Sequence, residues 1–245
     1  ALELAVSEDT AAVIIETIPS IAGILIPPDD YYPRVREICD AQGAQLIIDE
    51  VQIGLGRTGR MWAINEWEVV PDILVTGKSF GGSVYPMSAT CHRPHLDAFF
   101  QENPFIHFSS FGGSALGCVA ALATLDQISE PGFLEHVRAM GDRFEDGFVK
   151  LRAHYEIVDT WRRRGLMIGF ELIEPRMGPA MVALLAQNGV TTFFSGFRPS
   201  TLQIRPPLII QPDEVDFALE ALDRSLAFLA THPEMVELLP DLTVI

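Results

Sequence analysis

Three short, continuously apolar runs constrain this chain more than any other feature. They are Val13-Ile-Ile-Glu-Thr-Ile18, Gln45-Leu-Ile-Ile-Asp49 and Ile73-Leu-Val-Thr76. Runs of this length without alternation suit strands buried on both faces, which is the habit of parallel sheets. A helical segment separates the first two. Asp30-Tyr-Tyr-Pro33 opens it with a capping residue and an early proline, Val35, Ile38 and Cys39 share one face, and Gly43 ends it. Strand, crossover helix, strand predicts a mainly parallel sheet with helices on its faces. Pro86-Met-Ser-Ala-Thr-Cys91 reads as a further strand.

The pattern changes downstream. Ser114–Ile128 is rich in Ala and Leu and reads as a buried helix; Pro131-Gly132 punctuates the chain. Phe133, Val137, Phe144 and Phe148 then recur at helical spacing. Four strands are predicted near Ile157–Trp161, Leu166–Ile173, Val190–Phe194 and Leu202–Ile204, with helices over Gly178–Asn188 and Asp213–Thr231. The fold class expected is therefore α/β, a mainly parallel sheet with flanking helices followed by a smaller α+β C-terminal domain. The boundary falls near Pro131, giving residues 1–130 and 131–245.

Charge and cysteine usage narrow the function. The 245 residues carry a formal net charge of −16. Such a surface repels nucleic acid and anionic membrane, and neither is expected as a partner. Three scattered cysteines, Cys39, Cys91 and Cys118, suit a reducing cytoplasm rather than a disulfide framework. No run is long and apolar enough for a membrane span, and the first ten residues lack the features of a signal peptide. His92 and His95 flank Arg93-Pro94 with no further ligands, so no metal is expected. The Arg162-Arg163-Arg164 run reads as a solvated turn between strands.

The chemistry concentrates where strands end. The third apolar run leads into Gly77-Lys78, and the second ends in Asp49. Ligands collect at the carboxyl ends of strands in α/β sheets. An amine and a carboxylate at neighbouring strand tips suit pyridoxal 5'-phosphate, which needs a Schiff-base lysine and a partner for its ring nitrogen.

With these segments in place, the chain resembles the class III (ornithine/putrescine-type, fold type I) aminotransferases along nearly all its length. The matching stretches are Leu46-Ile-Ile-Asp-Glu-Val-Gln52, Gly54-Leu-Gly-Arg-Thr-Gly59, Pro71-Asp-Ile-Leu74 with Lys78, Asn103-Pro-Phe-Ile-His-Phe-Ser-Ser-Phe-Gly-Gly113, Arg164-Gly-Leu-Met-Ile-Gly169 and Pro206-Pro-Leu208. Asn103-Pro-Phe with His107 is similar to the branch acting on terminal amines.

The resemblance implies ping-pong transfer of an amino group from an amine or amino acid to a keto acid, ketone or aldehyde. Lys78 would form the Schiff base and shuttle the proton. Asp49 would pair with the pyridine nitrogen, Val51 pack under the ring, Gln52 touch the phenolic oxygen, and Ser110 reach the phosphate of the neighbouring subunit. A homodimer with shared sites is therefore implied, and Gly54–Gly59 with Arg57 is implied to be a structural loop near its interface. Racemases and aminomutases share the lysine chemistry, and a non-catalytic scaffold is the rival from another class. The family also has an N-terminal half and a ring-stacking aromatic that these residues do not include, implying a longer polypeptide or a partner chain.

Two departures concern substrate. The family commonly has an arginine three residues before the Pro-Pro pair, where this chain has Gln203, while Arg205 stands one residue before Pro206. The family's Gly-Glu-Gly-Gly stretch reads Ser20-Ile-Ala-Gly23, so the glutamate that pairs with that arginine is Ile21. Losing both charges together is coherent, since either alone would be left unpaired. Gln203 and Arg205 are the expected substrate contacts, with Arg205 as a shifted clamp or with a more apolar substrate replacing the carboxylate.

Overall fold

The computed structural model describes residues 1–237. The chain divides into two compact units. One comprises Ala1–Thr17, Pro27–Gly56 and Arg60–Phe133; the other comprises Ile18–Ile26, Arg57–Gly59 and the chain from Leu134 onward.

The first unit is built on a four-stranded sheet. In chain order it contains α1 (Leu2–Ala5), β1 (Ala12–Glu16), α2 (Tyr31–Gln42), β2 (Gln45–Asp49), β3 (Ile73–Thr76), β4 (Ala89–His92), α3 (Asp97–Glu102) and α4 (Ala115–Ser129). The strand order is β1-β2-β3-β4. β1, β2 and β3 are parallel, and β4 closes the edge antiparallel to β3. The crossover α2 buries Tyr32, Val35 and Cys39. It stops at Gly43, whose φ of +73° is the left-handed conformation that glycine adopts without a Cβ penalty. The register aligns Glu16 with Asp49 and Asp49 with Val75, so the carboxyl ends of three strands share one edge.

One expectation in this unit needs correcting. The Ala/Leu-rich helix α4 is not buried all round. Leu116, Val119 and Leu122 are 73%, 65% and 59% exposed, while Gly117, Ala121 and Ile128 face inward. Composition alone marks a helix as apolar without telling which neighbours cover each face.

The second unit is an α+β layer. It contains α5 (Phe133–His154), β5 (Val158–Arg164), β6 (Met167–Leu172), α6 (Met177–Gln187), β7 (Phe193–Ser195), β8 (Arg198–Ile204), α7 (Pro212–Thr231) and α8 (Glu234–Glu237). Its sheet is antiparallel throughout, in the order β5-β6-β8-β7. Every residue of the central β6 is buried. The predicted stripe of α5 is the face it buries, with Val137, Phe144 and Phe148 inside and the Phe148 ring 4.9 Å from that of Phe170.

The arginine run is not a turn. Arg162, Arg163 and Arg164 form the end of β5, opposite Gly169, Ile168 and Met167. Arg162 donates to Glu171 at 2.5 Å, and Arg198 donates to the other oxygen of the same carboxylate at 2.5 Å. Arg163 is held by Asp142 and Glu145. Acidic partners distant in sequence convert a charge run into strand, which a local reading does not see.

Candidate active site

The tips of β2 and β3 form a small polar cluster. β2 ends at Asp49, and the Val51 backbone N–H donates to the Asp49 carboxylate at 2.9 Å, fixing its direction. Beyond β3, Gly77 leads into a short 3-10 turn over Lys78–Gly81. The Lys78 ammonium donates to the Gln52 side-chain oxygen at 2.8 Å. A Cβ on Gly77 would lie 3.5 Å from Val51, ordinary van der Waals contact, which places the Val51 side chain beside the backbone leading into Lys78. The sheet thus brings Asp49, Val51, Gln52 and Lys78 to one edge.

Lys78 itself has a φ of +48°. That left-handed conformation costs a non-glycine residue roughly 1 kcal/mol or more and persists where surrounding structure imposes it. Lys78 opens the 3-10 turn that runs to Gly81 and closes at Gly82, itself at φ +62°. An exposed lysine held in an unfavourable backbone geometry with its amine oriented by an amide is a marked arrangement.

Glu50, adjacent to Asp49, plays a part that the sequence reading did not assign. It is 1% exposed and accepts hydrogen bonds from the Thr17 hydroxyl at 2.8 Å, the Ala63 N–H at 2.9 Å and the Ile64 N–H at 2.8 Å. Burial pushes its carboxyl above the ordinary range against the pull of those three donors. Its backbone N–H continues the ladder to Val75 at 2.8 Å. Glu50 thereby ties β1, β2 and the Ala63–Trp67 turn together behind Asp49. The available signal was strand alternation, which sends adjacent side chains to opposite faces.

Ser110 stands apart from this cluster. It is exposed, in the segment leading to α4. The cap of α4 is Ser114, whose hydroxyl accepts from the Gly117 N–H at 3.3 Å. Ser109 accepts from Gly112 at 3.0 Å. Ser110 therefore does not cap the helix.

Gln203 and Arg205 belong to the second unit. Gln203, in β8, is buried, and its amide donates to the Ser20 carbonyl at 3.2 Å and the Ser195 hydroxyl at 3.0 Å. Both donor hydrogens are engaged inside the unit. Arg205 follows β8, part-buried, and burial lowers its pKa. Arg57, from the Gly54–Gly59 loop, is pinned nearby. The Leu166 N–H donates to the Arg57 carbonyl at 3.0 Å, and the Arg57 guanidinium donates to the Pro206 carbonyl. Burial, and next the charge of Arg205, push Arg57 down to about 10.

Among the described residues no three His, Cys, Asp or Glu side chains are grouped to hold a metal ion, and no helix is long and apolar enough to cross a membrane.

Comparison with known proteins places these features in context. The family model of the class-III aminotransferases matches residues 1–226. A curated relative from Archaeoglobus fulgidus, described as an uncharacterised aminotransferase, is 46% identical over 237 residues, covering 97% of this chain and 56% of the relative. The ornithine aminotransferase of Toxoplasma gondii, in a structure described as having partial occupancy of PLP at its active site, superposes with a TM-score of 0.86. It is 30% identical, with 97% of this chain and 55% of that one covered. The acetylornithine aminotransferase of Elizabethkingia anophelis gives a TM-score of 0.84 at 27% identity, covering 93% and 60%. The chain thus spans little more than half the length of these relatives.

Proposed function

Since the chain belongs to the class-III aminotransferase family, we propose that the protein of which these residues form part transfers an amino group from an amine or amino acid to a carbonyl acceptor, using pyridoxal phosphate. The observation that carries this reading is the Lys78 ammonium, fixed by Gln52 at 2.8 Å, on the same sheet edge as Asp49. The residues suit the cofactor. An amine and a carboxylate stand at adjacent strand tips, with Val51 and an amide between them.

When bound, pyridoxal phosphate supplies the electron sink that makes the substrate's Cα proton removable. Lys78 would hold the cofactor through its amine and would carry the proton at the substrate's Cα. Asp49, oriented by the Val51 N–H, holds the pyridine nitrogen protonated through a charge-assisted hydrogen bond. Val51 would pack against the ring and Gln52 would hold its phenolic oxygen. Ser110 contributes its hydroxyl to the phosphate bound by the other subunit of a homodimer. Gln203 and Arg205 belong to the substrate side. The cofactor-binding part lies within residues 1–130, except that Ile18–Ile26 and Arg57–Gly59 group with the small domain rather than with it, in a protein of the cytoplasm.

Borohydride reduction tests this directly. Reduction of the full-length holoprotein, digestion and mass spectrometry are expected to find a phosphopyridoxyl group on Lys78. A reduced protein bearing none there overturns the assignment. Exposure to amine donor alone should release pyridoxamine phosphate, which separates amino transfer from racemisation.

A further inference from the structure

Among the described residues the buried carboxylates are Glu50, Asp72 and Glu171. Asp72 faces Arg36 at 2.6 Å, and Glu171 faces Arg162 and Arg198, each at 2.5 Å. Glu50 faces no cation among those residues. Burial disfavours its charged form, its three hydrogen-bond donors favour it, and the charge of Asp49 opposes it again. A buried carboxyl without a counter-charge costs stability, so what it contributes is geometry.

That geometry is specific. Just past the end of β2 the Glu50 N–H donates to the Val75 carbonyl at 2.8 Å. Its side chain then ties two further segments to this point. Oε1 accepts from the Thr17 hydroxyl, beyond β1, and from the Ile64 N–H, both at 2.8 Å, and Oε2 accepts from the Ala63 N–H at 2.9 Å. The Thr17 carbonyl in turn accepts from the Tyr32 phenol of α2 at 2.8 Å. A carboxyl group serves all three donors in either protonation state, since its proton can lie on Oε1 toward the Thr17 oxygen. An amide cannot. Glutamine would turn an N–H toward the N–H of Ala63 or of Ile64 and leave one of them unpaired. On either side of residue 50 stand two residues assigned to the cofactor ring, Asp49 and Val51, joined by the Val51 N–H at 2.9 Å. Alternation along the strand sends the Glu50 side chain to the opposite face, so its clamp holds the turn from behind.

We propose that Glu50 is a positioning residue, whose clamp on Thr17, Ala63 and Ile64 sets the Asp49–Val51 turn against the pyridine ring. It acts on the reaction through Asp49 and touches neither cofactor nor substrate. This rests on the amino-transfer reading.

The test follows the visible absorbance of the cofactor held by Lys78 as full-length holoprotein is titrated with pH. An Asp49 that meets the ring nitrogen less directly leaves it less firmly protonated, and a less positive ring lets the Lys78 nitrogen keep its own proton to higher pH. Glu50→Gln should therefore raise the midpoint of the absorbance change by about half a unit or more. It should also weaken cofactor binding by about 10-fold, and lower kcat by about 10-fold with KM within about 2-fold. Thr17→Val removes one donor and keeps the carboxyl. It should move each quantity the same way by less, and it decides the matter alone if Glu50→Gln does not fold. Asp72→Asn is the structural control. It breaks the buried pair with Arg36 just before β3, and should lower the denaturation midpoint without moving the absorbance midpoint. An absorbance midpoint that stays or falls in the folded variants of the clamp, or that rises as much in Asp72→Asn, overturns the role. The two readings fail separately. A wild-type holoprotein with no phosphopyridoxyl group on Lys78 after reduction removes amino transfer and this role with it. A labelled Lys78 beside an unmoved midpoint in the clamp variants removes the role alone.

Discussion

At the scale of single residues, two neighbouring carboxylates divide the work. Asp49 is held by one backbone N–H at the strand tip, while Glu50 is enclosed by Thr17, Ala63 and Ile64. Lys78→Ala in the full-length protein should lower amino transfer by roughly 10³-fold, the range for losing a positioned proton carrier, in a donor-to-acceptor rate assay. Glu50 has a pH signature. Its folded pKa is raised above the unfolded value of 4.5. The folded state therefore holds the proton more tightly, and stability is lost as pH rises from the ordinary carboxylate range through that raised value. Glu50→Gln should flatten this slope in urea melts taken across that window; an unchanged slope would assign it to other groups. Lys78 and Asp49 were visible in sequence because each lies beside a strand end, and Gln52 through the family resemblance alone. Glu50 was not, since its donors come from residues 33 positions before and 13 and 14 positions after it.

At the scale of elements, close approaches decide which substitutions are tolerated. Gly178, in the first turn of α6, packs against β8 so tightly that a Cβ would fall 1.8 Å from the Pro199 carbonyl oxygen. Gly178→Ala should destabilise the protein by roughly 1–3 kcal/mol, read as a lower denaturation midpoint, because backbone must move to admit the methyl group. The strands of both units were legible from their apolar patterns, and α5 and α7 from their helical spacing. The end of β5 was not. Its three arginines look like solvent-facing charge until Glu171 of β6 and the acidic residues of α5 are placed opposite them.

At the scale of the whole molecule, the sites are proposed to be shared between subunits, and that has a measurable consequence. Lys78→Ala and Ser110→Asp proteins should each be inactive alone, the second because a carboxylate faces a phosphate. Co-expressed with different tags and purified as the mixed dimer, they should regain activity, since one of the two sites then has both intact residues. A mixed dimer as inactive as its parents would place Ser110 outside the partner's site.

Taken alone, the order of residues determined the longer helices and most of the strands, the parallel character of the first sheet and the motif that points to the lysine, but not the short helices α1, α3 and α8. Those are properties of local pattern and short-range stereochemistry. Tertiary structure decided what each charge does. Glu50 became a buried tie, the arginine run became part of a strand, Gln203 turned inward, and Arg57 came to donate to the carbonyl of Pro206, 149 positions further along the chain. The physical reason is that a charged or amide group is defined by the partner that completes its hydrogen bonds. In each of these cases that partner or neighbour is supplied by a different element of the fold.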